Sequence, residues 1–160
     1  QRVSRIPDHI DLESWKRAWE HVVATSPILR TRLAQLKEPG LQQVVLKEGV
    51  TWRSSTDLKR YLEDDLKERS ELGQNLARYA IVEDAQDSQR YMVWTVHHVL
   101  YDGWSEPIIL QKINDYLQGD KSGPPAYMKD FVKFLKEDER LLAARARRRE
   151  WLAISEATNS

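Results

Sequence analysis

Apolar residues recur along this chain at helical and at strand spacing, and the spacing assigns most of the elements. Leu12, Trp15, Trp19, Val22 and Val23 fall on one face of a helix. Asp11 stands where an N-cap belongs, and Ser26-Pro27 closes the run, because proline pushes the residue before it out of the helical region. Gln1 to Ile10 shows no period and reads as irregular. Ile28 to Leu36 reads as extended, Lys37-Glu38-Pro39-Gly40 as a turn and Leu41 to Lys47 as a second strand, which together predict a hairpin. Thr56 to about Ser70 predicts a helix with Leu58, Tyr61, Leu62 and Leu66 on one face.

Glu71 to Asn75 is a connection and Leu76 to Val82 a strand, after which the polar Glu83 to Gln89 turns the chain into a strand at Tyr91 to Val96. These strands alternate imperfectly, as strands covered on both faces do. Ile108, Ile109, Ile113, Tyr116 and Leu117 restore helical spacing as far as about Gly119. Asp120 to Pro125 reads as a linker, Tyr127 to about Ser155 as a helix, and Glu156 to Ser160 as a frayed tail. The sum predicts an α/β fold: a two-layer mixed β-sheet flanked by helices, with the Asp11–Thr25 helix and the helix after Ser105 packed on the sheet.

Composition narrows the function. The 160 residues are 41% hydrophobic and 9% aromatic, enough for a real core and against disorder. Lys+Arg and Asp+Glu both count 25, so net charge is zero and nothing global favours nucleic acid or an anionic membrane as a partner. The basic cluster Arg145, Arg147, Arg148 and Arg149 reads as a solvated helix face, or alternatively as a contact for an acidic partner. Absence of cysteine excludes a disulfide framework, a thiolate nucleophile and cysteine-based metal sites. No apolar run reaches the length of a membrane span, and the first residues are not a signal peptide, so the chain reads as cytoplasmic.

The chemistry concentrates in Tyr91 to Ser105, YMVWTVHHVLYDGWS. A strand that continued through His97 and His98 would send them to opposite faces, one toward a site and one toward packing. Asp102-Gly103 is a turn signal, and Ser105 stands as an N-cap with Pro107 in the first helical turn. Backbone N–H groups and the positive end of a helix dipole then lie where an oxyanion could develop. Unperturbed histidine titrates near pH ~6.5, so it serves as a base at physiological pH. Gly103 lacks a Cβ and lets a substrate approach the backbone. Three other readings compete. A metal site from His97, His98 and Asp102 needs side chains that diverge and has no further ligand cluster. A serine hydrolase lacks its G-x-S-x-G elbow. Ordinary core histidines need no function at all.

His97-His98-Val99-Leu100-Tyr101-Asp102-Gly103 is HHxxxDG and runs on into Trp104-Ser105. It resembles the signature of condensation domains of nonribosomal peptide synthetases, within the chloramphenicol-acetyltransferase-like superfamily. A second segment, Pro27 to Leu33, is similar to that family's "HxxLRTxF" motif. Leu29-Arg30-Thr31 matches its centre, while Ser26-Pro27 and Leu33 depart from it. The resemblance implies amide bond formation between acyl and aminoacyl groups held as thioesters on carrier proteins. The phosphopantetheine arms belong to those partners, and this chain binds no cofactor or metal itself. It implies that His98 is the general base or amine-positioning group and that His97 is more structural. Asp102 is implied to pair with Arg30 or Arg32, which strand alternation would put on one face. Trp104 and Ser105 complete the motif. The likeness spans nearly the whole chain but only the first lobe of a two-lobed domain. Residues 1–160 are therefore expected to be an N-terminal lobe whose partner lobe is absent. Epimerisation domains share HHxxxDG and are the alternative within the superfamily. A module that binds carrier proteins without chemistry is the alternative outside enzymes.

Overall fold

The alternation that blurs in the central strands is resolved by helices on both sides of them. The computed structural model describes residues 1–38, 40–101 and 105–120, together with Asp130 and Lys133. In chain order the elements are β1 (Arg2–Arg5), α1 (Leu12–Thr25), a short 3₁₀ helix (Pro27–Arg30), β2 (Thr31–Gln35), β3 (Leu41–Val45), β4 (Trp52–Ser55), α2 (Leu58–Lys67), β5 (Ala77–Asp84), β6 (Gln89–Val96) and α3 (Ser105–Leu117). All lie in one compact unit, Gln1–Pro125; Ala126–Ser160 is a second. The predicted helix from Tyr127, the arginine cluster within it and the linker beyond Asp120 fall outside the described residues, apart from Asp130 and Lys133.

The main sheet has the order β1-β6-β5-β4, antiparallel except for the parallel β4–β5 pair, and β2–β3 forms the expected hairpin. On one face, Tyr79 and Ile81 of β5 and Met92, Trp94 and Val96 of β6 meet Trp19 and Val22 of α1 and Ile109 and Ile113 of α3. On the other, Ala80, Val82 and Val93 meet Leu58, Tyr61 and Leu62 of α2. The mixed sheet is thus flanked by helices, with α1 and α3 packed where expected. The large rings set the first interface: Trp19 lies 5.7 Å from Tyr79 and 5.4 Å from Trp94, centroid to centroid. His21 of α1 and Tyr116 of α3 pack at 4.6 Å.

Local signals hold at α1, where the Asp11 carboxylate accepts the Ser14 N–H at 2.9 Å as an N-cap. Three expectations change. Arg2–Arg5, read as irregular, is an edge strand, and its four side chains are all exposed, so no apolar period marks it. Trp52–Ser55 is likewise a short edge strand that periodicity does not reveal. Ile28–Arg30, read as extended, belongs to the 3₁₀ helix opened by Pro27, whose fixed φ suits a helical first position; the strand starts at Thr31.

α2 also corrects its own apolar face. Leu66 is 74% exposed, and the inward fourth position belongs to Asp65, which is only 3% exposed. Its carboxylate is held by Arg78 Nε at 2.7 Å, the Thr95 hydroxyl at 2.6 Å and Gln1 Nε2 at 2.7 Å. Arg78 also donates to the Asp65 carbonyl at 2.8 Å. A single carboxylate therefore ties α2 to β5, to β6 and to the beginning of the described chain. Burial pushes this carboxyl up, but the hydrogen bonds from Arg78, Thr95 and Gln1 and the arginine charge outweigh it and hold it below the usual carboxylate range.

A group whose folded pKa is depressed adds stability above its unfolded value, ~3.9, and loses it as pH falls through the folded one. Asp65→Asn is therefore expected to cost about 3 kcal/mol at pH 7, because the half-buried Arg78 is left without its counter-charge. The difference from the parent should shrink progressively below pH ~4. Urea unfolding of both chains at neutral and acid pH measures it, and a pH-independent gap would contradict the account.

Candidate functional site

The main sheet delivers the histidine pair by ending just before it. β6 stops at Val96, and the chain turns at once. The His97 N–H still donates to the Leu76 carbonyl at 2.9 Å, extending the link to the start of β5. Its carbonyl accepts the Leu100 N–H at 2.9 Å, closing the turn. Its Nδ1 accepts the Val99 N–H at 3.2 Å. Both imidazoles are exposed. The expected split to opposite sheet faces does not arise, because the strand no longer controls direction at these positions.

The turn is anchored from beneath. Leu100 is 4% exposed and joins the core beside Trp94, Ile109 and Ile113. Tyr101, half-buried, lies against the same core. Its ring stacks on His98 with centroids 4.8 Å apart and planes at 15°. Among the described residues its other close ring neighbour is Trp94, at 5.7 Å and 45°. His98 is thus the outermost ring of a series that runs inward through Tyr101 and Trp94 to Trp19. Sequence reasoning passed over Tyr101. The available signal was an aromatic three residues after a turn histidine and directly after a core-anchoring leucine.

Asp102, Gly103 and Trp104 lie outside the described residues. Ser105 is the first residue of α3 instead of its cap, with Glu106 and Pro107 completing the first turn. Arg2 of β1 reaches Glu106 at 2.8 Å, linking the sheet edge to that helix start.

The second motif segment sits at the end of α1. Arg30 donates from Nε to the Val23 carbonyl and from Nη2 to the Ala24 carbonyl, both at 3.1 Å, and from Nη1 to the Leu46 carbonyl. It satisfies carbonyls that the helix end leaves without a helical partner and ties them to the chain after β3. Arg32 pairs with Glu48 and donates to the Gly73 carbonyl at 2.9 Å. Only Arg32 lies within β2; Arg30 ends the 3₁₀ helix, so strand alternation does not relate the two. Lys112 of α3 donates to the Ser26 hydroxyl at 3.4 Å, joining the two helices at the same corner.

An open polar hollow of about 590 Å³ is lined by Arg32, Arg53, Arg78, Glu48 and Glu68, among others, and includes neither His97 nor His98. Its three arginines are each matched by a carboxylate: Glu48, Glu68 and Asp65. Among the described residues no group of three His, Asp or Glu is close enough to hold a metal ion. None of their helices is long and apolar enough to cross a membrane. What the geometry offers chemically is an accessible imidazole with one face braced by an aromatic ring, able to accept or donate a proton at its edge.

Comparison with known proteins extends this picture over nearly the whole chain. Residues 1–152 match the family model described as Condensation domain. The chain is 60% identical over 139 residues to the nonribosomal peptide synthetase sidD of Aspergillus fumigatus, covering 87% of this chain and 7% of that protein. It is 40% identical to the nonribosomal peptide synthetase dtxS1 of Metarhizium robertsii, covering 84% of this chain and 2% of that one. The chain thus spans a small part of the curated relatives it matches. The first condensation domain of the calcium-dependent antibiotic synthetase shares the fold, with a TM-score of 0.61 at 18% identity over 78% of this chain and 34% of that one. The crystal structure of holo T3CT does so with a TM-score of 0.69 at 17% identity, over 85% of this chain and 34% of that one. The chain belongs to the condensation-domain family of nonribosomal peptide synthetases.

Proposed function

We propose that residues 1–160 form the histidine-bearing N-terminal lobe of a two-lobed domain that makes amide bonds between carrier-bound thioesters. The exposed His98, held at the turn where the central strand leaves the sheet, carries this reading. The amine of an aminoacyl group attacks the thioester carbonyl of an acyl group on another carrier. The C–N bond forms, the C–S bond breaks, and the thiol of the donor arm leaves. His98 takes the proton that the attacking amine must lose, or orients that amine by a hydrogen bond, and the proton ends on the departing thiolate. Gly103 leaves room for the substrate beside the backbone, and the start of α3 faces the developing oxyanion.

Asp102 acts as an orienting group of the turn, and His97 shapes the turn through its backbone and Nδ1. Ser105 opens α3. Both substrates arrive on phosphopantetheine arms of carrier-protein domains, in the cytoplasm. The second lobe supplies the opposite wall, since reaction depends on holding two substrates in mutual geometry.

In an assay on the full-length protein, an aminoacyl donor carrier and an aminoacyl acceptor carrier should yield a dipeptidyl thioester detectable by mass spectrometry. His98→Ala is expected to lower its rate by about 10²–10⁴-fold while carrier binding persists. Unchanged turnover in that variant would defeat the reading in favour of a binding module. A donor epimerised without amide formation would favour an epimerisation domain. Asp102→Ala should also lower the melting temperature by roughly 2–4 °C more than His98→Ala does, the effect of about 1 kcal/mol in a protein of this size. Equal melting temperatures would count against Asp102 as an orienting partner.

A further inference from the structure

We infer that Tyr101 is a positioning residue for His98, selecting the imidazole orientation by stacking on its face. The inference rests on the reading of His98 as the reacting imidazole and goes beyond it by naming what holds the ring. His98 lies in an exposed turn, where a side chain samples several rotamers unless something selects one. Among the described residues, no hydrogen bond to its ring nitrogens supplies that selection. The face of Tyr101 does: the rings lie 4.8 Å apart and 15° from parallel, within the range of offset stacking.

Tyr101 can act as a brace because it is itself fixed. Its neighbour Leu100 is buried at 4% exposure and closes the turn through the His97 carbonyl. Its ring packs on Trp94 at 5.7 Å. Trp94, at 2% exposure, packs in turn on Trp19, at 1%. The support for His98 thus begins in the rigid interior and ends at the surface. Stacking uses the ring face and leaves the imidazole edge, where both nitrogens lie, open to a reacting group. The orienting cost is met before substrate arrives, which is where rate is gained. The contact involves ring faces, so the phenol hydroxyl is not required.

The test is steady-state kinetics of the full-length protein with aminoacyl carriers. It compares the parent, Tyr101→Leu, Tyr101→Phe, His98→Ala and the double variant His98→Ala/Tyr101→Leu. Tyr101→Leu is expected to lower kcat by about ten- to a hundredfold with little change in KM. Tyr101→Phe should restore most of that loss, and Tyr101→Leu should cost nothing further once His98 is gone. Should Tyr101→Leu fail to give a cooperative melt, Tyr101→Met takes its place with the same expectation. It keeps an apolar contact with Trp94 and removes the ring face. If Tyr101→Leu keeps full kcat while His98→Ala is inactive, the inference fails and the proposed function stands. An equal loss in Tyr101→Phe, or a further loss in the double variant, also overturns it, pointing to the hydroxyl or to a general packing role. If His98→Ala keeps its rate, the proposed function fails with it.

Discussion

β6 is covered on both faces and paired along both edges, and the rest of the structure depends on that constraint. Met92, Trp94 and Val96 face one helical layer, Val93 faces the other, and β1 and β5 pair on either side. A register slip of one residue would exchange the two faces and drive Trp94 into the space that suits Val93. The strand therefore has one placement, and so does the point where the chain leaves it. His97 and His98 occupy that point. The precision of an exposed turn is inherited here from a strand with no exposed residue.

The two faces are held by different physics. Against α1 and α3 the contact is aromatic, with Trp19, Tyr79 and Trp94 in mutual edge or tilted packing. Against α2 the apolar contact is small, and a buried carboxylate completes it. Asp65 is satisfied by groups from β5, β6 and Gln1, so α2 is oriented by hydrogen bonds as well as by area. Packed rings tolerate sliding more readily than a carboxylate with three directed donors does. The second layer fixes the angle of α2 where the first supplies most of the burial.

Sequence patterning reached the elements that bury a stripe. α1 showed its stripe and its cap, β5 and β6 their apolar content, and α3 its isoleucines. It did not reach β1 and β4, because a four-residue edge strand, exposed throughout in β1 and mostly half-buried in β4, is too short to show an apolar period. It assigned the inner face of α2 to Leu66 because a leucine is the natural occupant, whereas the structure buries a charge beside it that only tertiary partners make tolerable. The histidine motif was legible as a motif, yet the strand-versus-turn state of His97 depended on where β6 ends, and boundaries are set by long-range pairing. Tyr101 was invisible for a related reason: its significance lies in a ring it touches, and its spacing alone does not show that contact. Arg30 was placed in a strand by the apolar residues around it, while Pro27 governs the local backbone.

The pairing of β1 with β6 joins residues far apart in sequence, Arg2 opposite Trp94. During synthesis the first strand must wait for the sixth. At about 5–20 residues per second, that separation is a delay of roughly 5–20 s. Through that interval β1 has no sheet to join, and its arginines and serine keep it soluble where an apolar strand would seek partners on other nascent chains. The polar character that hid this strand from pattern analysis thus protects the polypeptide on the ribosome. The strand that ends the wait is also the one that carries His97 and His98, so sheet closure and assembly of the reactive turn belong to the same late event.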